Sequence, residues 1–235
     1  MPEALIVVPT YNERDNVREI AARMFAALPA THLLFVDDNS PDGTGAVLDE
    51  LAAAEHRLHV MHRAGKLGLG TAYVEGFGWG LARGYQYLFE MDADGSHDPR
   101  YLADMLALAE DGADVVVGSR YVPGGGTENW GLGRKLISRG GGFYARTVLG
   151  IDLRDVTAGF MCWRRAALEA IDLATITSNG YSFQIEMKYR AIRQNLRVVE
   201  TPIVFIDRRV GQSKMSRAIF AEALLKVWAL RFRTR

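Results

Sequence analysis

Short apolar runs, uninterrupted by turns, recur through the first half of the chain, with segments of helical spacing between them. Residues 5–8, 33–36, 58–61, 87–91 and 114–117 read as strands, and residues 16–28, 44–55, 69–83 and 99–110 as helices. A strand apolar on both faces must be covered on both. The alternation therefore predicts an α/β fold, a Rossmann-like and mostly parallel sheet with helices on both faces. Such sheets bind ligands at the carboxyl ends of their strands.

The polar residues fall where that rule wants them. Pro9-Thr-Tyr-Asn-Glu13 follows the first strand, Asp37-Asp-Asn-Ser-Pro-Asp-Gly-Thr44 the second, and Asp92-Ala-Asp94 the fourth. All three share one sheet edge, which predicts a cleft. Asp98, ahead of Pro99, suits a helix start. Asp92 and Asp94 precede that turn and repel each other unless a cation joins them. Hard oxygen ligands suit Mg²⁺ or Mn²⁺, held by carboxylates plus substrate phosphates. His97 beside them reads first as structural. Asp37 and Asp38 either close a turn or accept hydrogen bonds from a base or ribose. No G-x-G-x-x-G follows the first strand, against a nicotinamide cofactor, and Lys66-Leu-Gly-Leu-Gly70 lacks the full Walker spacing.

Bulk composition narrows the classes further. With 235 residues, 49% of them hydrophobic, and neither repeat nor linker, one domain suffices. Twenty-eight basic residues balance 28 acidic ones, so no global charge argues for nucleic acid. A single cysteine, Cys162, excludes an internal disulfide framework, and zinc-type Cys/His spacing is absent. MPEALIVVPT reads as a first strand, not a signal peptide. Nothing approaches the roughly 20 apolar residues of a membrane span.

The second half is looser. Residues 121–133 read as a glycine-rich flexible loop, followed by a helix over 134–149, a strand over 159–163, a helix over 182–194 and a strand over 198–205. Basic residues exceed acidic ones in 131–165 and 206–235, where anions would gather. The helical tail, 216–235, mixes Phe220, Leu224, Val227 and Trp228 with basic residues. It either packs on the domain or lies in a membrane interface.

In this order, Pro9-Thr-Tyr-Asn-Glu13, Val36-Asp-Asp-Asn-Ser40, Lys66-Leu-Gly-Leu-Gly-Thr71 and Asp92-Ala-Asp94 resemble the family 2 glycosyltransferases of the GT-A fold. Gly118-Ser-Arg-Tyr121, Asn129-Trp-Gly131, Arg134-Lys-Leu-Ile-Ser138 and Phe205-Ile-Asp-Arg208 to Gly211-Gln-Ser-Lys214 resemble, within them, the dolichyl-phosphate (polyprenyl-phosphate) mannose synthases. The resemblance spans nearly the whole chain. It implies a catalytic domain over 1–215, with a nucleotide-sugar half to about 120 and an acceptor half beyond, plus an amphipathic basic helix over 216–235. The implied reaction is inverting transfer of mannose from GDP-mannose to a polyprenyl phosphate. Pro9, Tyr11, Glu13, Val36, Asp37 and Asp38 would form the nucleoside pocket. Asp92 and Asp94, with the Ala93 backbone, would hold the metal and nucleotide-sugar, and Ser96 stands where a glutamine often joins the metal shell. Arg120, Arg134, Ser138, Arg208 and Lys214 match positions that grip donor or acceptor phosphates, and Asp155 would be a positioning group. A membrane surface follows as a partner, met peripherally at its cytoplasmic face, directly or through a membrane-anchoring protein. The early motifs leave a UDP-sugar donor open; a hydroxyl acceptor with a base near Asp155, and a silent nucleotide-sugar binder, are the other readings.

Overall fold

A computed structural model describes residues 4–176, 178, 180–207 and 226–232. Its centre is a seven-stranded sheet of β1 (Ala4–Thr10), β2 (His32–Asp37), β3 (Leu58–His62), β4 (Tyr87–Glu90), β5 (Val115–Ser119), β7 (Met161–Arg164) and β8 (Val198–Pro202). The order is β3-β2-β1-β4-β7-β5-β8. Only β7 runs antiparallel, between β4 and β5. The others are parallel to their neighbours, with Thr10 beside Asp37 and Val7 beside Glu90.

Side-chain alternation splits the core into two layers. Ile6, Val8, Leu33, Phe35 and Phe89 face α1 (Val17–Ala27), α2 (Thr44–Ala54) and α4 (Leu102–Glu110). Leu5, Val7, Leu34, Val36 and Leu88 face α3 (Leu69–Ala82), α6 (Arg165–Ala170) and α7 (Tyr181–Arg193). The doubly covered sheet expected from the alternation is the one found. α3 lies close against it: a Cβ on Gly76 would sit 2.5 Å from a Val7 methyl, and one on Gly80 2.7 Å from Leu88.

Departures cluster in the second half. The single strand expected over 198–205 is broken: Pro202 has no N–H for the ladder, and β9 (Val204–Ile206) leaves to pair with β6 (Gly126–Glu128). The supposed loop therefore contains a strand. α5 (Leu132–Leu149) runs unbroken through its three central glycines and stops at Gly150, whose φ of 69° is left-handed. The 99–110 helix opens with a 3₁₀ turn, Pro99–Tyr101, capped by Asp98, which accepts the Arg100 N–H at 3.1 Å. In the tail, 226–232 forms a helix, α8. Val227 and Leu230 pack with Ala145, Leu149 and Tyr189, whereas Trp228 and Phe232 are exposed. For the described part of the tail, packing on the domain holds for the Val227 and Leu230 side of α8. Among the described residues no helix is long and apolar enough to cross a membrane.

Candidate active site at the carboxyl edge of the sheet

The loops after β1 and β2 are laced together. Asp37, almost wholly buried, accepts the Thr10 hydroxyl at 3.3 Å and both the hydroxyl (2.6 Å) and the N–H (3.1 Å) of Ser40. Backbone N–H groups of Asn12 and Glu13 donate to the hydroxyls of Ser40 and Thr44, each at 3.0 Å. Asn12 and Asn39 take the left-handed backbone the two turns require. Asp37 thus builds the pocket wall. Val36 lies wholly in the core, so only its backbone faces the edge; its carbonyl accepts the Thr10 hydroxyl. Pro9, Tyr11 and Glu13 are half-buried there, with the Lys66 ammonium 3.9 Å from the Tyr11 ring centre.

Asp38 reaches a residue that strand reading passed over. The buried Arg63 donates to Asp38 at 2.6 Å and to the Thr71 hydroxyl at 2.6 Å, and pairs with Glu75 at 3.1 Å. Asp38 also accepts the Gly68 N–H at 3.3 Å. Arg63 follows β3 at the same edge, so the strand-end rule that found the acids applied to it too.

After β4 the chain turns sharply. Asp92 accepts the Tyr73 hydroxyl at 3.3 Å; burial, then the Asp92 charge, raises the phenol well above its ordinary value, so it stays a donor. Asp94 accepts the Ser96 N–H at 3.0 Å. His97 accepts the Asp92 N–H on Nδ1 at 3.1 Å, leaving its proton on Nε2, and stacks on Phe160. Ala93 is buried and offers its backbone. The Ser96 Oγ is buried without a hydrogen-bond partner among the described residues. Two half-buried carboxylates and an orphaned hydroxyl, all oxygen, fit Mg²⁺ or Mn²⁺. Among the described residues no three His, Cys, Asp or Glu side chains converge. The protein would supply these oxygens, and the diphosphate and water the rest of the shell.

Behind the turn lies a buried polar cluster that the sequence reading missed. Glu90 accepts from Trp163 at 2.8 Å and Gln184 at 2.7 Å, and Lys188 donates to the Ala158 carbonyl at 2.5 Å. Burial pushes the Glu90 carboxyl up and the Lys188 ammonium down. A glutamate inside the apolar run 87–91 was the available signal.

The second half of the chain meets this turn through β9. The Ile206 N–H donates to the Ser96 carbonyl at 3.2 Å, Phe205 lies edge-on to His97 and Trp130, and the Arg134 guanidinium sits 4.1 Å from the Trp130 ring centre. Arg134 also pairs with Asp207 at 2.7 Å, both about one-third exposed. Ser138 accepts the Tyr121 hydroxyl at 2.7 Å. The Arg120 guanidinium grips Asp155 through two bonds of 2.7 Å and reaches Thr157 at 2.8 Å. Burial alone would raise the Asp155 carboxyl, but Arg120 holds it below its ordinary value. Arg208 and Lys214 lie outside the described residues.

Known proteins share this pattern. The sequence profile of Glycosyl transferase family 2 matches residues 5–172. A polyprenol monophosphomannose synthase of Mycolicibacterium smegmatis is 51% identical over 97% of this chain and 88% of its own length. An undecaprenyl-phosphate mannosyltransferase of Micrococcus luteus is 49% identical over 96% and 93%. Among solved structures, a mannosyltransferase from Pyrobaculum calidifontis in complex with GDP-Man and Mn²⁺ superposes with a TM-score of 0.65 at 16% identity, over 99% of this chain and 64% of that one. Glucosyl-3-phosphoglycerate synthase from Mycobacterium tuberculosis, with Mn²⁺, UDP and its product, gives 0.65 at 17%, over 99% and 80%. These likenesses bear out the GT-A architecture.

Proposed function

The chain belongs to glycosyl transferase family 2, and on that premise we propose that it moves mannose from GDP-mannose to the phosphate of a polyprenyl lipid, inverting the anomeric carbon. The observation that carries this reading is the meeting of Asp92 and Asp94 with Arg134 across the Trp130–Phe205–His97 bridge. That chain of ring contacts links groups suited to a metal-bound diphosphate with a cation suited to a second phosphate. The relatives' names support mannose and a polyprenyl acceptor.

In this reading Asp92, Asp94 and Ser96 hold Mg²⁺ or Mn²⁺, whose charge would neutralise the departing diphosphate. Tyr73 keeps Asp92 aimed. Pro9, Tyr11, Glu13 and Asp38, with the Val36 backbone, receive the nucleoside on the wall that Asp37 braces. A phosphate monoester with a second pKa of about 6 is already ionised near neutrality, so its oxygen attacks without a strong base. Asp155 suits that requirement, being buried on Arg120 and depressed in pKa, a poor base for a hydroxyl acceptor. Arg134 is the cation best able to trade its carboxylate for a phosphate, because a guanidinium pairs with either in the same bidentate way. Ser138, Arg208 and Lys214 complete the phosphate-binding set, and Arg120 serves it by fixing Asp155. A lipid acceptor brings the reaction to the cytoplasmic face of a membrane, with the enzyme peripheral or held by an anchoring protein.

The test is incubation with GDP-mannose, Mn²⁺ and a short-chain polyprenyl phosphate. Lipid-linked mannose is expected. Transfer to a free polyprenol but not to its phosphate, or from UDP-glucose but not from GDP-mannose, would replace the assignment.

A further inference from the structure

Lys188, on α7, is wholly buried and has no place in the transfer chemistry above. An ammonium is costly to take out of water unless it is paired and hydrogen-bonded. Its Nζ donates to the Ala158 carbonyl at 2.5 Å and to the Gln184 carbonyl of its own helix at 3.3 Å. Glu90 and Asp155 are the carboxylates that act on it most strongly.

The carbonyl it holds lies in a demanding stretch. Residues 155–160 run buried or half-buried through the protein without joining a strand or helix. Backbone groups there need partners from outside the stretch. The Asp155 N–H donates to the Glu200 carboxylate at 2.9 Å, and the Phe160 carbonyl accepts the Gly118 N–H at 2.9 Å. At Ala158, between them, the partner is Lys188. The stretch also reaches both sides of the cleft. Asp155 and Thr157 hold the Arg120 guanidinium, while Phe160 stacks on His97, which accepts the Asp92 N–H. A Cβ on Gly159 would lie 3.4 Å from the Gln184 amide and 3.9 Å from the His97 ring. Six residues therefore join the Asp92–Asp94 turn to Arg120, and Lys188 pins their middle.

We propose that Lys188 is a positioning residue for transfer: through the Ala158 carbonyl it fixes residues 155–160, and so fixes where the Asp92–Asp94 turn stands relative to Arg120. This rests on the transfer reaction proposed above, in which two phosphate-bearing substrates must meet in one geometry. A hydrogen bond from a charged donor is roughly twice as strong as a neutral one, which is what a lysine offers here over an uncharged side chain. Lys188 touches neither substrate, so its loss acts on kcat and not on binding.

Turnover is measured with the nucleotide-sugar and short-chain acceptor on which wild type is active. A wrong choice of sugar or acceptor then changes the substrates and leaves the comparison intact. Lys188→Met keeps the length of the side chain without the ammonium. Its kcat, counted per folded molecule by circular dichroism, falls at least tenfold, within the roughly 100-fold that a misplacement of about 1 Å can cost. KM for the nucleotide-sugar rises by less than kcat falls. Lys188→Met leaves Glu90 without its cation, so Lys188→Met/Glu90→Gln, which strands neither charge, is measured beside it and shows the same loss. Glu90→Gln alone keeps the bond from Lys188 to Ala158 and loses less. A kcat loss under tenfold in either Lys188 variant overturns the proposal. So does a rise in KM as large as the fall in kcat, or a loss in Glu90→Gln equal to that in Lys188→Met.

Discussion

The arginine–aspartate pairs beneath the cleft and the pair on its shoulder are built to different ends. Arg63–Asp38 and Arg120–Asp155 are nearly sealed, with side chains between 0% and 9% exposed. Each is extended by further hydrogen bonds, to Thr71 and Gly68 in one case and Thr157 in the other. Arg134–Asp207, at 34% and 30% exposure, has the same chemistry but water beside it. A sealed pair cannot release its arginine without stranding a buried carboxylate. A half-open pair can exchange one anion for another at little cost. The two sealed pairs are thus preorganised, and under the proposed function Arg134 is the arginine whose carboxylate a substrate phosphate would replace.

The largest effect expected is catalytic. Asp94→Ala should cut turnover at least 100- to 1000-fold, the usual loss when a stabiliser of developing charge is removed, while circular dichroism and melting stay near wild type. Next comes Arg120→Met, which should cost about 3–5 kcal/mol in urea unfolding because Asp155 is left buried and uncompensated. Arg120→Met/Asp155→Leu should recover most of that loss. If Arg120→Met costs no more than Arg134→Met, the contrast between the pairs is wrong. Arg134→Met should cost at most about 1 kcal/mol of stability, yet raise the KM for polyprenyl phosphate about tenfold with the KM for GDP-mannose unchanged. The smallest effect concerns pH. The Asp155 carboxyl lies below its ordinary 3.8 in the folded protein. Its contribution is therefore present above 3.8 and lost as pH falls through the lower folded-state value. Acid unfolding below 3.8 should be shallower in Arg120→Met/Asp155→Leu than in wild type.

The same division governs how much could be read from sequence. In the first half, each strand is an apolar run and each acid cluster follows one, so β1 to β5 and the placement of Asp37, Asp38, Asp92 and Asp94 were legible. The side chains' partners were not. That Asp37 braces a wall, that Asp38 meets Arg63 and that Val36 turns into the core depend on strand register and on loops crossing from distant positions. In the second half, β6 and β9 are only three residues each, too short to carry a period. Pro202, the residue that splits β8 from β9, was visible, but its consequence needed the neighbouring ladder. The resemblance marked Arg120 as a phosphate ligand; the Asp155 that holds it lies 35 positions away.

The central claim is that Asp92 and Asp94 bind nucleotide through a divalent ion. Calorimetric titration of GDP into the full chain, with Mn²⁺ and then with excess chelator, tests it most directly. Saturable binding is expected with Mn²⁺, with a large loss of affinity under chelator and no such metal dependence in Asp94→Ala. GDP affinity that is the same with and without the metal in the wild-type protein would contradict it.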